Sequence, residues 1–298
     1  MAALMEALPA GSTDCHTHAF GDPARFPFMP GRSYTPGLAD ADQLRGFLDD
    51  HGLARVVVVQ PSVYGTDNGC TLDAVRRMAG RARAVVVVHP GIGDAALADL
   101  HEAGARGVRL NLATTGATDV DCASATVAAF ARRLRCSAWH LQIFAGHEVL
   151  WALRGQLGGA GVPVVIDHFG LVGLKETPLA TAARNIVHLV EGEGLHIKLS
   201  APQRSVADPD DAPVLADLVG ALVAASPQRL LWGSDWPHPG RVRTGDPATP
   251  EAFEAVDDGR ALARIAGWVR DEAALRRILV DNPQALYGFG PEGGAPAS

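Results

Sequence analysis

Short apolar runs that end in a polar residue or a proline alternate along the chain with longer segments of helical period. Eight runs read as strands: Asp14–His18, Arg55–Gln60, Ala84–His89, Gly107–Leu112, Trp139–Phe144, Pro163–His168, Leu195–Ser200 and Arg229–Trp232. Val56–Val59 and Val85–Val88 are unbroken valine, as expected of strands covered on both faces. Between the strands, Ala41–His51, Thr71–Arg81, Asp94–Ala103, Ser124–Arg135, His147–Leu157, Leu179–Glu191 and Pro213–Ala225 repeat apolar residues at i, i+3, i+4, the stripe of an amphipathic helix. Asp40, Asp94 and Ser124 stand where N-caps belong, and Gly52, Gly80 and Gly104 where helices end. Strand then helix, repeated, predicts an α/β fold of the (β/α)8 TIM barrel type, a single domain over 1–298 with its core at about 14–289. No Gly-x-Gly-x-x-Gly follows the first strand, which weighs against a doubly wound nucleotide-binding sheet.

Two regions break the rhythm. Gly21–Gly37 holds Pro23, Pro27, Pro30 and Pro36 without helical or strand period, which predicts a lid or binding loop. Pro237–Pro250 is similar and carries Arg241 and Arg243. Glu254–Leu279 reads as helical, and the tail after Pro291 as disordered.

Composition narrows the class. At 298 residues, 47% hydrophobic and 20% charged, the chain can bury a large core. Its net charge of −7, with no basic run, argues against nucleic acid as a partner. Nearly all the basic residues are arginine, Lys175 and Lys198 being the lysines, and arginine suits bidentate carboxylate binding. Cys15, Cys70, Cys122 and Cys136 lie far apart with no CxxC pair, which fits a reduced cytoplasm. Met1–Ser12 lacks a cationic n-region and carries Glu6, so it does not read as a signal peptide, and no apolar stretch approaches membrane-spanning length.

A barrel carries its chemistry at the C-terminal ends of its strands. The first strand presents His16 and His18, which at i, i+2 share a face and stand about 6.6 Å apart along an extended chain. The second ends in Gln60-Pro61-Ser62, followed by Tyr64 and Asn68; the third in His89; the fourth carries Arg109 and Asn111. The fifth offers His140 and Gln142, the sixth Asp167-His168, the seventh Lys198 and Ser200 with Arg204 beyond, and the eighth runs into Ser234-Asp235-Trp236-Pro237-His238. Any one of these reads equally as a strand-end cap or a solvated loop residue; together they place polar groups where a barrel works. His140 reads as packed in or under the barrel, His51, His101, His147, His188 and His196 as structural, and Asp14 and Asp167 as residues that orient a histidine. Tyr64 and Trp236 suit either packing or stacking on a planar substrate.

At these residues the chain resembles the amidohydrolase superfamily. The resemblance is carried by His16-Thr17-His18, Asp167-His168-Phe169-Gly170, Asp235 and the closing Asp281-Asn282-Pro283-Gln284-Ala285-Leu286-Tyr287-Gly288-Phe289, and it runs from about Asp14 to Phe289. Gly65-Thr66-Asp67-Asn68, Gly107-Val108-Arg109-Leu110-Asn111 and, most specifically, Trp232-Gly233-Ser234-Asp235-Trp236-Pro237-His238-Pro239 are similar to the branch of 2-pyrone-4,6-dicarboxylate and sugar-acid lactonases. The resemblance implies a lactone hydrolase. Asp235 is then the base that deprotonates water, His16, His18 and His168 polarise the scissile carbonyl, Arg109 and Arg204 clamp a carboxylate, and Ser62, Tyr64, Asn68, Gln142 and His238 line the pocket. Imidazoles can polarise a carbonyl directly or through a metal. No cofactor is therefore required, and one divalent ion, zinc, on His16, His18, His168 and Asp235 is optional. Gln142 and Arg109 stand where two-metal members keep ligands, which argues against a second ion. Leu171 stands where the dicarboxylate lactonases carry an arginine, and Thr115 where a second arginine would help, which leaves a monocarboxylate or neutral lactone as open as a dicarboxylate. The expected partner is this small lactone, with no membrane; a homo-oligomer stays open. The rival expectation is a mononuclear zinc decarboxylase built on the same residues.

Overall fold

The computed structural model describes residues 8–113, 120–173, 177–240 and 245–290. Each of the eight apolar runs forms a strand: β1 (Thr13–Thr17), β2 (Arg55–Val59), β3 (Ala82–Val86), β4 (Ala105–Asn111), β5 (His140–Phe144), β6 (Val164–Ile166), β7 (His196–Ser200) and β8 (Leu230–Gly233). Every strand pairs in parallel with the next in sequence. The ends of that order then meet. Thr17 bridges Trp236, the His18 N–H donates to the Trp236 carbonyl (2.8 Å), and the Asp235 N–H donates to the His16 carbonyl (2.9 Å). The barrel thus closes through the backbone of the residues that the sequence nominates for chemistry. Gly233 allows the approach, because a Cβ there would lie 2.6 Å from His16 Cβ and 2.8 Å from its backbone nitrogen.

Alternation along the strands sorts the interior. Val56, Val58, Leu141, Ile143, Ile197 and Leu199 join the main core. Cys15, Val57, Val59, Val85, Val165 and Leu231 form a separate cluster against Tyr287 and Phe289. His140, Gln142, Lys198 and Ser200 alternate with those core residues on β5 and β7, and all four are buried. This polar lining is unusual for a barrel interior.

The surrounding helices are α1 (Ala41–Asp50), α2 (Gly69–Arg77), α3 (Asp94–Glu102), α4 (Val120–Leu134), α5 (His147–Ala152), α6 (Arg154–Gly158), α7 (Leu179–Glu191), α8 (Pro213–Ala225), α9 (Asp258–Val269), α10 (Glu272–Arg276) and α11 (Asn282–Tyr287). Asp40 caps α1 in a full capping box with Gln43. Asp94 is instead the first residue of α3, after Gly93 in the cap position, and α4 starts ahead of Ser124. The predicted helix His147–Leu157 breaks at Leu153, within a stretch whose Gly155, Gly158 and Gly159 weaken helix propensity. The stretch from Glu254 becomes helical only after Asp257 caps it, stops where Arg270 turns left-handed (φ 55°), and restarts behind Asp271.

The Gly21–Gly37 loop is tied down at several points. Arg25 pairs with Asp73, the Met29 N–H reaches the Val63 carbonyl, and Thr35–Pro36 pairs with Pro250–Glu251 of the second irregular region. Glu6, Thr115, Lys175, Arg241, Arg243 and the tail from Pro291 lie outside the described residues. Among the described residues no helix is long and apolar enough to cross a membrane, and all four cysteines are free.

Candidate active site

Two short turns and one strand end bring the site together. Asp14 organises the first part: its Oδ1 accepts the backbone N–H groups of His16 and Ser234, each at 3.0 Å, fixing the segments that carry His16 and Asp235. Burial raises the Asp14 carboxyl to about 7 against those hydrogen bonds. Asp235 itself is left-handed (φ 71°), as are His168, Phe169 and Leu171 (φ 52°, 55° and 50°). Strained backbone of this kind persists where the surroundings over-determine it, and it clusters at functional sites.

Asp235, His16, His18 and His168 converge as the sequence predicts. Asp235 Oδ1 lies 3.7 Å from His16 Nε2, 3.5 Å from His18 Nε2 and 3.7 Å from His168 Nε2. All four residues are buried, and both Asp235 Oδ1 and His16 Nε2 are without a hydrogen-bond partner. The other oxygen, Asp235 Oδ2, receives Arg204 Nε and Nη2 at 2.9 Å. Burial alone would raise this carboxyl, but the Arg204 charge and the surrounding imidazoles hold it well below the usual carboxylate range. Burial pushes His168 down to about 3 against the pull of Asp235, and it drives His16 down as well. The centre is thus an ionised carboxylate facing imidazoles, two of which resist protonation.

Hydrogen bonding fixes one tautomer outright. His18 Nδ1 lies 2.7 Å from the Val59 carbonyl, which can only accept, so Nδ1 carries the proton, and in the neutral tautomer this leaves a lone pair on Nε2. That lone pair faces Asp235 Oδ1, also an acceptor. Two acceptors in this position call for a proton or a cation between them. His168 Nδ1 meets Ser200 Oγ at 2.8 Å, a hydroxyl that serves either tautomer.

The donor set therefore suits one divalent ion in kind and number. His16, His18 and Asp235 form a group whose ligand atoms all lie within 4.8 Å of one another. A second such group, His16, Asp167 and His168, already has cations at its carboxylate: Arg109 Nε at 3.3 Å and Lys198 Nζ at 3.5 Å.

The predicted pocket residues divide. Arg109 and Gln142 stand beside the cluster and both hold Asp167 Oδ2, at 3.3 and 3.0 Å. The Arg109 guanidinium also lies over the Phe144 ring, 5.2 Å from its centroid. Arg204 joins Asp235 directly, and the buried His238 reaches Asp258 Oδ2 at 3.1 Å. Half-buried Ser62 starts a short turn after β2, ahead of the buried Val63 and Tyr64. Tyr64 and Asn68 serve the backbone instead. The Tyr64 hydroxyl accepts the Gly21 N–H and its ring packs on Phe28. Asn68 accepts the Val87 N–H while donating to the Val87 and Thr66 carbonyls. Trp236 stacks on Phe47, His140 stands edge-on to Tyr287 within the barrel, and His89 is exposed. Lys198 received no role from the sequence. It is fully buried, with Nζ 2.7 Å from Gln142 Oε1 and 3.2 Å from His16 Nδ1.

The chain is similar along nearly its whole length to known proteins. A family model described as amidohydrolase matches residues 13–289. The 2-pyrone-4,6-dicarboxylate hydrolase of Comamonas testosteroni is 34% identical over 291 residues, covering 94% of this chain and 91% of that protein. The 4-sulfomuconolactone hydrolase of Rhizobium radiobacter is 34% identical over 292 residues, covering 95% and 91%. A solved structure from Agrobacterium tumefaciens superposes with a TM-score of 0.79 at 26% identity, covering 96% of this chain and 98% of that one.

Proposed function

Since the chain belongs to the amidohydrolase family, we propose that it is a hydrolase that opens the ring of a small, carboxylated lactone by attack of water activated by Asp235. The names of its relatives support lactone hydrolysis and give no support to the decarboxylase reading. One observation carries the assignment of roles: the ionised Asp235 has an unpartnered oxygen among three imidazole nitrogens. A carboxylate held in that state is a competent base for water once the carbonyl beside it is polarised.

In this reading Asp235 Oδ1 takes a proton as the water oxygen bonds to the lactone carbonyl carbon. The carbonyl oxygen becomes an oxyanion within reach of the histidine cluster, where donors gain strength from the dry surroundings. The ring C–O bond then breaks. Its leaving oxygen recovers the proton from Asp235, so the product is a hydroxy acid, or a keto acid where the leaving oxygen is an enol.

His18 Nε2, His168 Nε2 and Asp235 Oδ1, with His16, would hold a single divalent ion, which when bound supplies Lewis acidity at the carbonyl. We read that ion as optional, because imidazole donors can polarise an activated ester unaided. Arg204 and Arg109 supply the positive charge that draws a substrate carboxylate to this end of the barrel. Ser62, His238, Tyr64 and Asn68 then belong to the walls of the pocket or to the backbone that shapes it.

A panel of pyrone dicarboxylate, muconolactone and aldonolactone, followed with a pH indicator with and without chelator, tests the reading. Acid release from at least one lactone that survives chelation is the expected result. An inactive panel under both conditions, from folded protein, overturns it.

A further inference from the structure

The chemistry of the buried polar chain behind His16 is determined link by link. Asp167 stands against two cationic side chains, Arg109 Nε at 3.3 Å from Oδ2 and Lys198 Nζ at 3.5 Å from Oδ1, the surroundings of a carboxylate. An ionised carboxylate only accepts, so the Gln142 group 3.0 Å from Asp167 Oδ2 is the amide NH2. The opposite end of Gln142, Oε1, therefore faces Lys198 Nζ at 2.7 Å and accepts from it. The amine also stands 3.2 Å from His16 Nδ1, and a lysine ammonium there can only donate. Asp167 Oδ1 is 3.3 Å from the same His16 nitrogen, yet it makes no hydrogen bond, so a proton on Nδ1 would not point at it.

We propose that Lys198 is a positioning residue that holds His16 as the tautomer protonated on Nε2, so that the two histidines of the His16-Thr17-His18 pair work in opposite senses. This deepens the reading above and rests on it only for the reaction served. With Nδ1 accepting from Lys198, the neutral His16 ring turns its Nε2–H toward Asp235 Oδ1 and the reacting carbonyl. His18, whose Nδ1–H donates to the Val59 carbonyl, turns Nε2 toward the same place. His16 is then a hydrogen-bond donor to the developing oxyanion. As a ligand it is handicapped, because metal binding at Nε2 requires the proton to move to Nδ1, where Lys198 stands.

Selective 15N labelling of histidine in the chelator-treated wild-type protein reads the tautomer directly, with His16→Gln identifying the signals. Expected is a protonated Nε2 and a bare Nδ1 on His16, with a protonated Nδ1 on His18. A protonated Nδ1 on His16 overturns the proposal, and it needs neither substrate nor a second folded variant. Lys198→Met is the companion test: zinc competition with a chromogenic chelator should show affinity rising about 10-fold or more, opposite in sign to the roughly 10–100-fold loss that follows removal of a partner supporting a metal-binding histidine. Its kcat should fall with KM nearly unchanged. Unchanged or weakened zinc affinity in a folded Lys198→Met protein also overturns the proposal. A failed lactone panel leaves the tautomer result standing, so the two readings fail separately.

Discussion

Arg204→Gln separates the electrostatic part of the site from its shape. Arg204 meets Asp235 Oδ2 through two nitrogens at 2.9 Å, with the side chains 13% and 1% exposed. Removing one partner of a buried pair strands the other and costs typically 3–5 kcal/mol. Because Arg204 is partly open to solvent, the lower end applies, about 3 kcal/mol, readable as a drop in the urea unfolding midpoint at pH 7. The same substitution removes the charge that holds the Asp235 carboxyl below its usual range against burial, so that carboxyl moves upward. Asp235 works as a base only when ionised, so the acid limb of kcat/KM for lactone opening should shift to higher pH. The stability effect has the matching sign. A depressed carboxyl contributes stability that is present above the ordinary carboxylate pKa and disappears as pH falls through the folded value. The gap between wild type and Arg204→Gln should therefore narrow in acid. A pH–rate profile for kcat/KM, beside unfolding curves at several pH values, measures both. An acid limb that stays in place while stability drops would refute Asp235 as the titrating base.

Other outcomes follow from the same network. Asn68→Ala deletes an amide that bonds Val87 on both sides and Thr66, so it should lower stability by about 1–3 kcal/mol with KM for the lactone unchanged; a raised KM would make Asn68 a substrate contact. Burial, with the nearby Arg229 charge, lowers His196 from 6.5 to about 4. The unfolded chain then takes up a proton that the folded one refuses, so stability held above pH 6.5 is lost as pH falls toward 4, by roughly 3 kcal/mol. Urea midpoints at pH 7 and pH 4.5 measure this, and His196→Gln should flatten the difference; an equal slope in both proteins contradicts it.

The sequence exposed the strands well because each is a short apolar run bounded by polar residues or turns, and the observed ends fall within a few residues of the expected ones, as Arg55–Val59 against Arg55–Gln60 shows. Helix ends were harder, since Leu153 and Arg270 break helices whose apolar stripe continues across the break. The His16, His18, His168 and Asp235 cluster was legible because each stands at a strand end, where a barrel brings distant segments together. Tyr64 and Asn68 stand in an equally suggestive place, yet their polar atoms meet loop backbone, a distinction no spacing reveals. Lys198 was missed for another reason. It reads as one polar residue in a strand, and its partners Gln142 and His16 are 56 and 182 residues away. The available signal was the i, i+2, i+4 run of His196, Lys198 and Ser200, which lines one polar face of β7 inside the barrel.

The central claim is that the ionised Asp235 activates water at the closing seam of the barrel. Asp235→Asn keeps the size and shape of the side chain while removing the base. The most direct measurement is kcat for lactone opening by this variant beside wild type, with circular dichroism to confirm the fold and calorimetry to confirm that the lactone still binds. The account predicts a loss on the order of 10²–10⁴ in kcat with binding retained. A folded Asp235→Asn protein that keeps most of its turnover would contradict it.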